Sequence, residues 1–293
     1  MQPLSIQRTL QYPTQGVGLA LMAAAMLLIP FVDGLAKYLS ETHSPLYVSW
    51  ARYAAASLVV LPIALAVHGR QCLPTENLGA HFNRTLFLVI AMTLYFVALS
   101  KVQMASAITA YFVGPIITAV LAVFFLNERL TPRKIMALVC GFVGTLIILD
   151  PAGEIEPGIL YALGSGLFFA FYLIATRLAS KNNDPLKTLT FQCLVGSLIL
   201  TPQAIWAWSV PQPSELLFFM AIGVLSSLSH LLSIQAFRYA EASLLAPLVY
   251  LELIAAAAVG YFFFDEVPAM MLWVGAAVIM AGGVLLLNER RGT

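Results

Sequence analysis

Ten apolar stretches of 17 to 23 residues follow one another along this chain, and each is long enough to matter to a lipid bilayer. A helix needs about 20 mostly apolar residues to cross about 30 Å of hydrocarbon, where every backbone group must be satisfied internally. The stretches are 17–38, 46–67, 83–100, 105–126, 133–149, 157–178, 187–208, 215–237, 243–264 and 270–287. Composition agrees: 60% of the 293 residues are hydrophobic and only 10% charged, with a mean hydropathy of +0.89. Soluble domains are about 25% charged, so too few charges remain here to cover a water-facing surface. The predicted class is an all-α membrane protein with ten transmembrane helices, and no segment between them is long enough for a separate soluble domain. The near-zero net charge offers no footprint for nucleic acid. Cys72, Cys140 and Cys193 have neither metal-ligand spacing nor the density of a disulfide framework, so no metal or other cofactor is expected.

The first apolar run reads as a retained span. It exceeds a signal-peptide core, contains Asp33 and ends in Lys37. With a cytoplasmic N-terminus, twelve basic residues fall on the inner side: Arg8, Arg70, Arg84, Arg129, Arg133, Lys134, Arg177, Lys181, Lys187, Arg238, Arg290 and Arg291. The outer side receives Lys37 and Lys101, while Arg52 lies within the second span. This bias predicts an inner-membrane protein with both termini cytoplasmic.

The two halves of the chain resemble each other. A shift of 140 positions matches Gly18 with Gly158, Leu27 with Leu167, Phe31 with Phe171, Pro45 with Pro185 and Pro62 with Pro202, and places Lys37 on Arg177. A shift of 138 matches Phe124-Phe125 with Phe262-Phe263, Glu128 with Glu266 and Gly144 with Gly282. The division is residues 1–150 and 151–293, five spans each. Five is odd, so the second repeat enters the membrane upside down. Inverted repeats are a recurring plan of secondary transporters, with substrate held near the midplane at the repeat interface.

The stretch Phe124 to Thr131 (Phe-Phe-Leu-Asn-Glu-Arg-Leu-Thr) and its echo from Phe262 to Pro268 each precede a Gly-containing fifth helix. In these features the chain resembles the drug/metabolite transporter superfamily, in its ten-helix EamA form. Asp33-Gly34-Leu35-Ala36-Lys37 with Pro45 and Arg52, and Ala246-Pro247 with Tyr250 and Glu252, resemble one branch of that group. The resemblance implies a carrier of small metabolites, among them amino acids and their derivatives, vitamins and nucleoside-containing cofactors. Uptake and export both occur within it.

Ionisable residues inside a span cost at least about 2.5–3.5 kcal/mol and are functional candidates by default. Glu252, near the middle of the ninth span, is a candidate site carboxylate for a substrate amine or a coupled proton; a paired buried acid is the alternative. Asp33 and Arg52 lie at a common depth, with Lys37 one turn beyond Asp33 on the same face. These three read either as an outer gate or substrate clamp, or as a static ion pair. His230, with Ser233 nearby, is a candidate proton carrier or a bonded histidine of the bundle. Tyr95, Tyr111, Tyr172 and Tyr250 fall inside spans and are candidates for an aromatic lining. Pro115 and Pro247 predict helix breaks at depth. Glu128 reads as an anchoring residue. Ala137, Gly141, Gly144, Gly275, Gly282 and Gly283 read as close helix packing within the bundle or at a homodimer face.

The leading function is a secondary transporter of a small organic metabolite working by alternating access. The expected partners are the bilayer and that small-molecule substrate, with a coupled proton and a homodimer left open. A membrane-embedded enzyme or a channel is the alternative, although no catalytic, metal or nucleotide-binding motif supports either.

Overall fold

The computed structural model describes residues 15–99, 101, 108, 110–149, 158–180, 183–264 and 270–287. Among them every regular element is helical. The first half contains α1 (Gln15–Leu39), α2 (Pro45–His68), α3 (Leu78–Leu99), α4 (Gly114–Leu126) and α5 (Pro132–Leu149). The second half contains α6 (Gly158–Ser180), α7 (Pro185–Trp206), α8 (Leu216–Tyr239), α9 (Leu251–Phe264) and α10 (Met270–Leu287). A one-turn helix (Ala242–Leu245) and a 3-10 stretch (Ala246–Tyr250) lead into α9. Seven of these spans meet the length and hydropathy needed to cross a membrane, and shorter apolar helices accompany them. The fold is a multi-pass helical bundle. Lys181, Glu266, Arg8, Arg290 and Arg291 lie outside the described residues.

Local signals set the helix ends. Pro45 and Pro185, matched by the 140-residue shift, each open the second helix of a repeat at its first turn, where the missing N–H costs nothing. Asp184 caps α7 by accepting the Leu186 and Lys187 amides at 2.9 and 3.1 Å. Asn127 closes α4 in the left-handed conformation, φ 53°. One end differs from expectation. Helix α3 starts at Leu78, five residues before the apolar run does, because Asn77 at φ 53° turns the chain ahead of the polar residues His81, Asn83 and Arg84. Arg84 therefore lies within the helix, with no exposed surface, and not at its inner end.

Packing follows a pseudo-two-fold rule. Helix α1 packs on α8 and α9, and its counterpart α6 packs on α3 and α4. Contact of α2 with α8 is mirrored by α7 with α3, while α2·α7 and α5·α10 pair with their own counterparts. The two repeats are thus intertwined, each first helix seated in the other half. The outer surface is as apolar as the core: Leu198, Ile205, Phe124 and Phe262 are among the large hydrophobic side chains left exposed to lipid. The ninth span is the most enclosed, with 72% of it buried against 39–50% for the six others.

The small residues on α5 and α10 pack within the bundle. A Cβ on Gly144 would lie 2.7 Å from the Gly275 carbonyl oxygen, so these backbones touch. That contact favours the internal reading of the stripe over a dimer face.

Hairpins alternate between two ends of the bundle, a proximal end where α1 begins and a distal end where it finishes. At the proximal end Glu128 accepts the Ala242 and Ser243 amides at 3.1 and 2.9 Å, capping the short helix of the opposite repeat. Arg177 Nε stands 3.8 Å from the same carboxylate, and Lys134 Nζ bonds Glu241 at 2.6 Å. Glu128 is an anchor, as expected, and what it holds belongs to the other repeat.

At the distal end His43 Nε2 meets Glu215 Oε2 at 2.9 Å, and Thr42 Oγ1 donates to Oε1 at 2.9 Å. A related pair, His68 and Asp184 at 3.1 Å, sits at the proximal end. The Gln212 amide, then the His43 and Thr42 side chains, hold the Glu215 carboxyl below its ordinary value of 4.5. A depressed acid stabilises the fold above its unfolded value, and that contribution is lost as pH falls through the folded one. The melting temperature in detergent should therefore drop below about pH 4.5. Glu215→Gln should flatten that acid limb; an unchanged limb would refute the assignment.

Candidate functional site

Both central helices are interrupted at the same depth. In the first repeat the helix through Ile108 and Tyr111 breaks at Phe112-Val113 and resumes at Gly114, with Pro115 in its first turn. In the second, Pro247 lies in the 3-10 stretch before α9. The 138-residue shift carries Leu126 onto Phe264 and Gly114 onto Glu252, so α4 and α9 span equivalent residues although their prolines are not equivalent. The break frees carbonyls, and Tyr250 satisfies one of them: its hydroxyl donates to Phe112 O at 3.2 Å. Tyr250 is fully buried and stands outside the cavity linings, as do Ser233 and Tyr172. Its ring rests on Gly141, where a Cβ would fall 2.1 Å from Tyr250 Cδ2.

Glu252 occupies the first turn of α9, where the helix dipole favours a negative charge. Gly114, its counterpart, has no room for an acid, because a Cβ there would already lie 3.0 Å from the Gly166 carbonyl oxygen. The acid is therefore confined to one repeat.

Around Glu252 lie two adjoining cavities. The first, about 550 Å³ counting the open space at its mouth, lies among α1, α2, α3, α6, α8 and the two broken helices. Asp33, Arg52, Tyr95, Tyr111, His230 and Glu252 all line it, together with Phe96, Phe169, Ser226 and Ser229. The second, about 470 Å³, shares Asp33 and Glu252 and runs past Phe112 to Lys37, which is exposed toward the distal end. The acids thus stand where the two spaces meet. A larger indentation bounded by Phe31, Tyr38, Phe218 and Phe263 is almost wholly apolar and faces the bundle exterior, with nothing to hold a charged group.

Asp33 and Arg52 share the cavity without forming an ion pair. Among the described residues the pairs within 4.0 Å are His43–Glu215, His68–Asp184, Lys134–Glu241 and Arg177–Glu128. Nε and Nη2 of Arg52 and Oε2 of Glu252 are buried and have no hydrogen-bond partner among those residues. Burying such groups unpartnered costs several kcal/mol, more than one hydrogen bond returns.

Rings form the rest of the wall. Tyr95 and Tyr111 lie 5.2 Å apart, Tyr111 and Phe169 5.3 Å, and Phe169 and Tyr172 5.8 Å. Tyr172 meets His230 edge-on at 6.1 Å and bonds its Nδ1 at 3.2 Å. Behind Tyr172 stands Arg84, with Nη2 3.3 Å from the hydroxyl and the guanidinium 5.1 Å over the ring. The candidates from sequence thus divide: Asp33, Arg52, Tyr95, Tyr111, His230 and Glu252 converge on one cavity, Lys37 on its neighbour, and Tyr172, Tyr250 and Ser233 pack outside. Phe96, Phe169, Ser226 and Ser229 in the lining, and Arg84 behind it, were not among the sequence candidates.

Comparison with known proteins places this arrangement. The EamA-like transporter family matches residues 16–150 and again residues 156–288. The chain belongs to that family. It is a multi-pass membrane transporter of small solutes, assembled from two copies of one five-helix unit. Among the curated relatives, the S-adenosylmethionine uptake transporter of Rickettsia bellii is 29% identical over 95% of this chain and 96% of its own length. That of Rickettsia felis is 30% identical over 88% of both chains. The riboflavin transporter of Vibrio cholerae is 27% identical over 92% of this chain and 91% of its own. A solved crystal structure shares the fold of this EamA-like transporter, with a TM-score of 0.80 over 95% of this chain and 99% of that one at 20% identity.

Proposed function

We propose that this chain carries a cationic, nucleoside-bearing metabolite of the S-adenosylmethionine type across the bacterial inner membrane, by alternating access, with both termini cytoplasmic. One observation carries the reading: two carboxylates, Asp33 and Glu252, share a cavity with a single guanidinium, Arg52, and no pair among them is closed. S-adenosylmethionine bears a sulfonium, an ammonium and a carboxylate. The two positive groups match the two acids, the carboxylate matches Arg52, and the adenine matches the Tyr95–Tyr111–Phe169 wall. The names of the Rickettsia relatives favour the same substrate. Riboflavin, named for the Vibrio relative, is uncharged and uses the rings but leaves three buried charges unanswered.

The conformation fits a carrier open toward the distal side. The Glu128–Arg177 and Lys134–Glu241 contacts close the proximal end, while the second cavity extends from the acids to exposed Lys37. Counterflow tests the proposal. Proteoliposomes preloaded with unlabelled S-adenosylmethionine should accumulate the labelled compound. S-adenosylhomocysteine, which lacks the sulfonium charge, should compete at least about tenfold more weakly, the loss expected when one charge–charge contact within the protein is removed. Exchange of riboflavin with none of S-adenosylmethionine would overturn it.

A further inference from the structure

The cavity contains a histidine whose hydrogen-bonding role is decided from behind. His230 lines the first cavity on the same face of α8 as Ser226, one turn earlier. Its Nδ1 lies 3.2 Å from the Tyr172 hydroxyl. That hydroxyl also lies 3.3 Å from Nη2 of Arg84, which is itself fixed by Nε donating to Thr176 Oγ1 at 2.8 Å. Thr176 in turn donates to the Tyr172 backbone carbonyl at 2.7 Å. Arg84, Tyr172 and Thr176 are all essentially without exposed surface.

Donor and acceptor chemistry then leaves one arrangement. A guanidinium can only donate, so the Tyr172 oxygen accepts from Arg84. The hydroxyl has one hydrogen, and a buried hydroxyl is rarely left unpaired. Among the described residues His230 Nδ1 is the acceptor within reach. An accepting Nδ1 puts the ring proton on Nε2.

We infer that Arg84, acting through Tyr172, locks His230 as the Nε2–H tautomer, so that it presents a hydrogen-bond donor that selects an unprotonated ring nitrogen of the substrate's adenine. The assignment of the base to this corner rests on the substrate class proposed above; the tautomer does not. The aromatic row ends at His230, so a flat base stacked on Phe169 and Tyr111 brings its edge to the imidazole. Arg84 and Tyr172 are positioning residues: neither touches the cavity, and both act through the ring nitrogen they fix. His230 thereby becomes a reader of the base, where sequence alone left it between proton carrier and packing residue.

Nitrogen-15 NMR of histidine-labelled protein tests the first half without any substrate. The His230 signal, identified by its loss in His230→Gln, should show a protonated Nε2 and a bare Nδ1. In Tyr172→Phe, which keeps the ring and removes the hydroxyl, it should relax to a mixture of tautomers. A protonated Nδ1 in the unaltered protein, or no change in Tyr172→Phe, overturns the lock. Binding of S-adenosylmethionine and its 1-, 3- and 7-deaza counterparts tests the second half. One nitrogen-to-carbon replacement should weaken binding about tenfold, and Tyr172→Phe should shrink that discrimination severalfold. Equal binding of all four compounds overturns the base contact while leaving the tautomer result standing. Failure of S-adenosylmethionine itself to bind sinks the substrate proposal instead.

Discussion

Glu252→Gln should abolish counterflow of S-adenosylmethionine while leaving the purified protein monodisperse and at least as thermostable as before. The substitution keeps shape and volume and removes only the charge. Oε2 of Glu252 has no hydrogen-bond partner among the described residues, so no stabilising contact is lost in the empty protein. A buried charge without a partner is a cost to folding, and neutralising it should hold or raise the melting temperature. Substrate binding moves the opposite way. A charge-assisted hydrogen bond to a cation contributes about 1.5–3 kcal/mol, so affinity should fall roughly 10- to 150-fold. Asp33→Asn should act in the same direction, since both acids face both cavities. A variant that transports normally, or that melts earlier than its parent, would return Glu252 to a structural role.

The second large effect is expected at an uncharged contact behind the cavity. Gly141→Ala should lower the melting temperature by several degrees and suppress transport. The new methyl would lie 2.1 Å from Cδ2 and 2.5 Å from Cε2 of Tyr250, well inside van der Waals contact. The ring has little freedom to retreat, because its hydroxyl is bonded to Phe112 O and its edge meets the Phe112 ring 5.6 Å away. Overpacking of this kind costs about 1–3 kcal/mol. Tyr250→Leu should destabilise alone yet recover stability when combined with Gly141→Ala, a coupling that double-mutant analysis measures directly. Additive losses would show that the two side chains do not share this space.

Sequence made the lining legible where physics is least forgiving. Asp33, Arg52, His230 and Glu252 stand out because ionisable groups in apolar runs carry a penalty that only a partner, a cavity or a substrate offsets. Tyr95 and Tyr111 came with them as aromatic residues at matching depth. Arg84 stayed hidden because it stands at the very start of the apolar run 83–100 and counts among the inner-side basic residues; the early start of α3 at Leu78 shows it to be internal. Tyr250 was a reasonable lining candidate by its place in the chain. Its true surroundings, Gly141 and Phe112, lie more than 100 residues away, and no local pattern records that contact. The two helix breaks were expected at Pro115 and Pro247. Their equivalence was not, since the prolines occupy different positions and it is the restarted helices, Gly114–Leu126 and Leu251–Phe264, that correspond.

The paired histidine–carboxylate contacts carry one more consequence. His43–Glu215 ties the start of α2 to the start of α8 at the distal end, and His68–Asp184 ties the end of α2 to the start of α7 at the proximal end. Both are closed in the same conformation, so α2 is tied at each end to the opposite repeat. In the alternating-access cycle proposed above, α2 would serve as an axle held at both bearings, about which the remaining helices swing apart on one side as they meet on the other with neither contact broken.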